Sequence, residues 1–322
     1  MKYLITGGAG FIGSNIAHEL LKKGAQVRII DNFSTGRRIN ISDIEDKIEV
    51  IDGDIRDFWT VKEAIEGVDY VLHQAALPSV PRSVKNPLTS NSVNIDGTLN
   101  LLEAAKQAGV KRFVMASSSS VYGDTPELPK HEAMWTDPLS PYAVTKLTGE
   151  KYCKVFFELY GLETVCLRYF NIFGPRQDPK SEYAAVIPKF INAMLAGKQP
   201  IVFGDGEQSR DFTYIDNAVQ ANLLATTAPD APGKYFNIAC GARFTLNQLI
   251  EMLGEILETD IKAKYTPPRR GDILHSYADI ARARKELGYD PRIMFEDGLR
   301  KTVEWFSAIF NSHTPAGGIK IG

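Results

Sequence analysis

A doubly wound parallel α/β sheet is what the sequence predicts, and three observations carry the prediction. Apolar strand-like runs alternate with helix-period segments from residue 1 to about residue 170, the pattern of a parallel sheet covered on both faces. The first run passes straight into Gly7-Gly8-Ala9-Gly10-Phe11-Ile12-Gly13, giving strand, tight turn and helix in succession. After Asn171 the elements shorten, broken by Gly174-Pro175, Pro179, Pro188, Gly204, Gly206, Pro267 and Pro268, as in a mixed, loop-rich region. Residues 1–170 are therefore expected to form a Rossmann-type dinucleotide domain with returning segments near residues 211–240, and residues 171–322 a smaller, mixed α/β substrate domain.

Each element has its own reason. Residues 2–6 read as a buried strand, and the amphipathic run 11–23 as a helix stopped by Gly24. Between them Gly7 permits a sharp turn, Gly10 lets backbone N–H groups approach a diphosphate, and Gly13 lets helix and strand pack closely. The helix N-terminus then faces the anion. A second strand, 27–30, ends in Asp31, eighteen residues past Gly13, where a carboxylate accepts hydrogen bonds from ribose hydroxyls and repels a 2′-phosphate. Asn32-Phe33 follow rather than an arginine, so NAD is favoured over NADP, although Arg37 and Arg38 stand a few residues on. A third strand, 48–51, leads into Gly53-Asp54-Ile55, and a fourth, 70–73, into Gln74-Ala75-Ala76. Phe11, Ile12, Asn32, Gln74, Ala75 and Ala76 join the glycines and Asp31 as cofactor candidates. A helix over 88–108 stopped by Gly109, a strand over 112–116, a helix over 141–160 stopped by Gly161 and a strand over 162–168 complete this half. Further on, Thr245 caps a predicted helix over 246–257, 295–310 reads as a terminal amphipathic helix, and no order is expected from Ser312 to Gly322.

Composition narrows the function classes. A chain of 322 residues with 44% hydrophobic residues has material for a large core, and a formal charge of −2 with scattered Lys and Arg gives no attraction for nucleic acid or an anionic membrane. The expected partner is a small molecule. Cys153, Cys166 and Cys240 are widely spaced with no C-x-x-C pair, and read as core thiols. No leader pattern opens the chain and no apolar run approaches the ~18 residues of a membrane span, so a cytoplasmic protein is expected. The five histidines lack metal-ligand spacing and none has a triad-like context; no metal is expected, and His18 and His73 read as structural.

The chemistry-bearing residues lie around the second half of the sheet. Ser140-Pro141-Tyr142 has the form of a helix start, with Ser140 as N-cap and Pro141 at N1. A phenolate at neutral pH costs about 4 kcal/mol, which nearby positive charge must offset. Lys146, four residues on, shares the helix face, and the helix N-terminus and an oxidised nicotinamide add positive potential, so a lowered phenol pKa is expected. Ala116 to Ser120 place hydroxyls at the C-terminal edge of a strand, where one of them could relay a substrate proton to Tyr142. Dinucleotide turn and tyrosine-lysine pair together indicate a redox enzyme.

The Gly7 to Gly13 turn, Ser117-Ser118-Ser119 and Tyr142-x-x-x-Lys146 resemble the extended short-chain dehydrogenase/reductase family. Ala116 to Gly123, Ser140-Pro141-Tyr142, Leu167-Arg168-Tyr169-Phe170-Asn171, Gly204-Asp205-Gly206 with Arg210-Asp211, and Arg269-Arg270-Gly271-Asp272 resemble, more narrowly, UDP-hexose 4-epimerases, in the expected order from residue 1 to about 310. The resemblance implies that Ser118, Tyr142 and Lys146 are catalytic. Tyr142 would take the proton from the sugar 4-hydroxyl while hydride passes from C4 to NAD, and the 4-keto sugar would turn over before hydride returns to its other face. Lys146 would hold the nicotinamide ribose. Asp54 and Ile55 would meet the adenine, and Asn94 would lie near the nicotinamide half. Arg210 and Arg269 match positions that bind the nucleotide-sugar diphosphate, Asn171 and Asp272 would orient the sugar nucleotide, and Phe203 and Val186 would flank the uracil, with Ala185 and the hydroxyls of Ser118, Ser119 and Ser120 in the same substrate set. A homodimer paired through the two helices preceding and containing the tyrosine is also implied.

Absences refine the reading. Related dehydratases carry an Asp-Glu or a lone Glu just before the Tyr-Gly dipeptide, where this chain has Ser119-Ser120-Val121, so epimerisation is favoured over elimination. Related uronate epimerases usually lack an asparagine at the position of Asn171. Ser276, four residues after Asp272, matches a position where a tyrosine restricts similar epimerases to glucose and galactose and a small residue admits an N-acetyl group. Residues 173–179 and 183–188 likewise resemble the N-acetylhexosamine type, so UDP-GlcNAc and UDP-GalNAc are expected substrates beside UDP-Glc and UDP-Gal. Pro78 stands where it could narrow the same cavity.

Overall fold

The structure, a computed structural model, describes residues 1–179, 185–268 and 274–313. In chain order the strands are β1 (Lys2–Thr6), β2 (Gln26–Asp31), β3 (Glu49–Asp52), β4 (Tyr70–His73), β5 (Arg112–Ser118), β6 (Thr164–Tyr169), β7 (Ile172–Phe173), β8 (Ile201–Phe203), β9 (Ser209–Arg210), β10 (Thr213–Tyr214), β11 (Lys234–Ile238), β12 (Phe244–Thr245), β13 (Lys264–Thr266) and β14 (His275–Ser276). Seven of them form one all-parallel sheet in the order β11-β6-β5-β4-β1-β2-β3. The reversal of strand order beside β1 makes the crevice in which doubly wound sheets bind ligands.

The helices are α1 (Phe11–Lys22), α2 (Phe58–Ile65), α3 (Val80–Lys85), α4 (Pro87–Asn91), α5 (Gly97–Ala108), α6 (Pro141–Tyr160), α7 (Val186–Leu195), α8 (Ile215–Thr227), α9 (Leu246–Ile256), α10 (Ala281–Leu287) and α11 (Phe295–His313). Alternation along the strands explains the two layers. Ile5, Ile29, Val114 and Leu167 pack with Ile16 and Leu20 of α1 on one face, while Leu4, Ile30, Phe113, Met115 and Cys166 meet Leu101 and Leu102 of α5 and Cys153 and Phe156 of α6 on the other. All three cysteines are buried and free.

Several expectations need correction. The helix anticipated over 88–108 is three pieces, α4, a π-helical turn at Ser92–Asp96, and α5. The widened turn accompanies a buried Asn94 whose side chain serves neighbours rather than its own helix. No helix was anticipated between the third and fourth strands, where α2 stands capped by Asp57, nor at α3. The terminal helix continues to His313, and the rest of the tail lies outside the described residues. Strand β11 returns from beyond residue 170 to pair with β6, and α8, just ahead of it, packs against α1.

Two buried arginines tie helices to the sheet. Arg28 of β2 donates through Nη1 to the carbonyls of Ala64 (2.7 Å) and Glu66 (2.9 Å) at the end of α2. Arg112 of β5 does the same for Ala225 (3.1 Å) and Ala228 (2.7 Å) at the end of α8. Each cation satisfies carbonyls left without intrahelical partners at the negative end of a helix. Among the described residues no helix is long and apolar enough to cross a membrane.

Candidate active site

The C-terminal ends of β1, β2, β4 and β5 open onto a cleft of about 840 Å³. Its floor is the turn between β1 and α1. Gly7 has φ +67°, and a Cβ there would come within 2.9 Å of the Ala75 backbone, so the close approach of two strand ends needs glycine. At Gly13 a Cβ would fall 2.2 Å from the Gly7 carbonyl oxygen, so helix and turn are in direct contact. Helix α1 begins at Gly10 with no side-chain cap, leaving its first amides turned toward the cleft.

Gly7, Gly10, Phe11, Ile12, Gly13, Asp31, Asn32, Asp54, Ile55, Gln74, Ala75 and Ala76 all line this cleft, together with Tyr142 and Lys146. Asp31 is 8% exposed and accepts the Ala9 amide at 3.0 Å and the Phe33 amide at 2.8 Å; burial pushes its carboxyl above the ordinary range while those two bonds pull it back. Asp54 is gripped by Arg56 at 2.7 Å and by Asn32 at 2.9 Å, and the Arg56 hydrogen bond in particular lowers it to about 2. Gln74 shares a network with Asn222 (2.9 Å) and the Tyr169 hydroxyl (3.2 Å). Uncapped helix, glycine cradle and a fixed acid at the end of β2 suit a diphosphate-linked dinucleotide.

Asn94 does not line the cleft. It is buried, with Oδ1 accepting from Leu77 N–H at 2.8 Å and Nδ2 donating to the Thr145 hydroxyl at 3.0 Å, so it braces the 75–79 loop against α6. A second brace runs through His73. Its Nδ1 meets the Thr6 hydroxyl at 2.7 Å and its Nε2 the Thr98 hydroxyl at 2.9 Å, and Thr98 donates to the Asn94 carbonyl at 2.6 Å. That last bond leaves Thr98 only its lone pairs for the ring, which assigns the proton to Nε2. Burial, with the Lys146 charge second, pushes His73 down to about 3, so it stays neutral.

Tyr142 sits in the first turn of α6, where Ser140 caps the Ala143 amide at 3.2 Å and Ser83 accepts the Tyr142 amide at 3.0 Å. Against the burial around its phenol, Ser118, at the end of β5, acts to lower the pKa. Lys146 is buried, donates to the Ala116 carbonyl at 2.8 Å, and holds its ammonium 5.9 Å from the Tyr142 ring centre. The expected lowering of the phenol pKa is absent in the chain by itself. Burial pushes Tyr142 up to about 12, with the Ser118 hydrogen bond pulling the other way, and the same burial brings Lys146 down to about 8. Desolvation thus dominates the phenol, with Ser118 opposing it.

A second cavity of about 300 Å³ adjoins through Ala185, which lines both. Asn171, Val186, Phe203 and Arg210 line it as well. Asn171 takes a left-handed φ of +40° and donates to the Asp211 carbonyl at 3.1 Å, while Arg210 donates to the carbonyls of Ser209 and Leu274. Ser276 lines neither cavity, but β14 lies beside β9 with Ser276 in register with Arg210. Ser118, Ser119 and Ser120 also line neither; the last two begin a 3₁₀ turn, and the Ser120 hydroxyl is buried without a partner. Arg269 and Asp272 lie outside the described residues. Sequence reasoning gave no role to Tyr169, Arg176 or Asp178 in the first cleft, or to Lys189 in the second. Only the sheet crossing and the left-handed backbone at Arg176 bring them in, and neither leaves a periodic trace.

Comparison with known proteins agrees with this geometry. The profile of the NAD dependent epimerase/dehydratase family matches residues 3–239. A solved UDP-N-acetylglucosamine 4-epimerase from Methanobrevibacter ruminantium M1, in complex with UDP-N-acetylmuramic acid, is 44% identical with a TM-score of 0.92, over 96% of this chain and 98% of that one. A putative UDP-glucose 4-epimerase of Methanocaldococcus jannaschii is 40% identical over 94% of this chain and 97% of its own length. A UDP-glucuronate 4-epimerase of Thermodesulfobacterium geofontis is 38% identical over 94% and 95% respectively.

Proposed function

Because the chain belongs to the NAD dependent epimerase/dehydratase family, we propose that it inverts C4 of a UDP-sugar, with UDP-GlcNAc and UDP-GalNAc among its substrates beside UDP-Glc and UDP-Gal. The observation that carries the reading is Tyr142, in the first turn of α6 and one helical turn before the buried Lys146, both on the wall of the dinucleotide cleft. When bound, NAD supplies the acceptor and donor of the C4 hydride and, in its oxidised form, a positive ring.

The protein's part is proton handling and placement. Tyr142 takes the 4-hydroxyl proton and later returns it, with Ser118 relaying between sugar and phenol. Lys146, held by the Ala116 carbonyl, keeps a cation beside the phenol and would hold the nicotinamide ribose. Residues 171–322 supply the sugar-nucleotide side, with Asn171, Val186, Phe203 and Arg210 around the second cavity as its contacts. Elimination has no acid-base pair of its own, since Ser119 and Ser120 stand where related dehydratases carry carboxylates. The likeness to a UDP-glucuronate epimerase supports uronates as the second reading.

Incubation of the purified protein with each UDP-hexose, UDP-N-acetylhexosamine and UDP-glucuronate, with no NAD added, tests this directly. Interconversion of the acetylated and plain hexose pairs is expected; turnover of the uronate alone replaces this reading with the second. Ser276→Tyr should lower kcat/KM for the acetylated pair by about 10- to 200-fold, the scale of a steric misfit, and spare the plain pair. Equal losses on both pairs remove Ser276 as the discriminator.

Homodimerisation belongs to the same reading. Val144, Val155 and Leu159 are exposed along α6, at spacings that put them on one face, and pairing that face with its two-fold mate would cover them. A solution mass of two chains is expected by sedimentation, and a mass of one chain at micromolar concentration refutes it.

A further inference from the structure

We propose that Arg176 is an anchor for the diphosphate of the bound dinucleotide, presented to the cleft by Asn15 and His18 of α1. The inference rests on the NAD-dependent reading above and adds to it a residue that holds the cofactor.

Arg176 follows β7 and lines the first cleft, not the second. Its backbone takes φ +70°, a left-handed conformation that a non-glycine residue adopts only when its surroundings impose it. Asn15 imposes it. The Asn15 amide donates to the Phe11 carbonyl at 2.8 Å and to the Pro175 carbonyl at 3.1 Å, which pins the loop to the first turn of α1. With both amide protons spent, Oδ1 can only accept, and it receives Arg176 Nη1 at 3.0 Å. Nη2 meets His18 Nε2 at 3.0 Å. His18 Nδ1 lies 2.7 Å from the Ser14 carbonyl, and its Nε2 also lies 3.0 Å from both carboxylate oxygens of Asp43.

The guanidinium is thus held by an amide oxygen and an imidazole on the second and third turns of α1. Among the described residues no carboxylate lies within ion-pair distance of it; Asp43 stands beyond His18, 3.0 Å from Nε2. Burial pushes its pKa below the ordinary arginine value, with the Asp43 charge across His18 opposing. Two other cleft cations are differently placed. Arg37 pairs with Asp178 at 3.6 Å, and Lys146 is committed to the Ala116 carbonyl. A partly desolvated planar fork lining the same cleft as the uncapped start of α1 is suited to phosphate oxygens, and an arriving dianion would supply a direct ion-pair partner that the described residues do not. The sugar nucleotide's diphosphate has its own candidate in Arg210, which lines the other cavity.

Full-length Arg176→Met and Arg176→Lys, stripped of nucleotide, test the assignment by titration calorimetry with NAD and by urea unfolding with and without NAD. Arg176→Met should raise the NAD Kd by about 10- to 100-fold, the scale of a lost charge-assisted hydrogen bond, and Arg176→Lys should recover part of the loss. The NAD-free unfolding midpoint of Arg176→Met should stay close to wild type, because a partly buried cation with no direct ion-pair partner adds little to the free protein. An unchanged Kd, or a fallen midpoint in the NAD-free protein with no change in Kd, overturns the anchor and leaves a structural loop clamp. A wild-type protein that binds no NAD overturns the functional reading instead.

Discussion

Tyr142→Phe lowers kcat by about 10²- to 10⁴-fold on every UDP-sugar the protein turns over, while NAD and UDP-sugar still bind. The magnitude is that of a lost general acid-base group. The reason for the split lies in the geometry. The ring of Tyr142 stands on the cleft wall and would be kept in Phe; only the hydroxyl is removed. Its backbone amide stays anchored on Ser83 and its helix stays capped by Ser140, so the fold of the first turn does not depend on the phenol. The protein by itself keeps that phenol protonated, up at about 12 through burial. As a base it works only while positive charge lies against it, so the wild-type rate should respond to Lys146 as well. Steady-state kinetics with a parallel NAD stoichiometry measurement decides the matter. A Phe variant within tenfold of wild-type kcat would show that another group moves the proton.

How much of this was legible depends on the range over which each feature is encoded. The sheet could be read because its strands are apolar on both faces and each feeds a helix, so pattern and fold coincide within some thirty residues. The glycine turn, Asp31 and the tyrosine-lysine helix share that locality. What could not be read is set by partners far away in sequence. Arg28 and Arg112 look like misplaced charges in buried strands until α2 and α8 bring their terminal carbonyls over them. The predicted continuous helix over 88–108 is broken by a π-helical turn carrying Asn94, which spends its side chain on Leu77 and Thr145. The second cavity rests on strands of two or three residues, β7, β8 and β9, too short to show any period. Its residues are legible only through the resemblance, and the sequence shows the charges near the phenol but not the burial that dominates it.

Arg168→Met destabilises the protein by about 3–5 kcal/mol, the largest stability loss expected of any single change considered. Arg168 of β6 and Glu150 of α6 are 2% and 4% exposed, and meet through two parallel bonds, Nε to Oε1 at 2.8 Å and Nη2 to Oε2 at 2.7 Å. Ser117 adds its hydroxyl to Oε1 at 2.5 Å, and the guanidinium lies between the rings of Tyr122 and Tyr235. Removing the arginine strands a carboxylate in the core with one hydroxyl for company. That carboxylate is one turn beyond Lys146 on α6, and Ser117 lines the cleft, so the disturbance reaches the catalytic helix face as well as the sheet. The double change Arg168→Met with Glu150→Leu should recover most of the loss, because a neutral apolar pair of similar volume can replace a buried ion pair at little net penalty. Urea unfolding of the NAD-bound forms measures both. If the double variant is no more stable than the single, shape rather than charge compensation is what the pair provides. If the single variant stays within about 1 kcal/mol of wild type, below the usual toll of an unpaired buried charge, solvent reaches Glu150 and the layer beneath the catalytic helix is looser than its packing suggests.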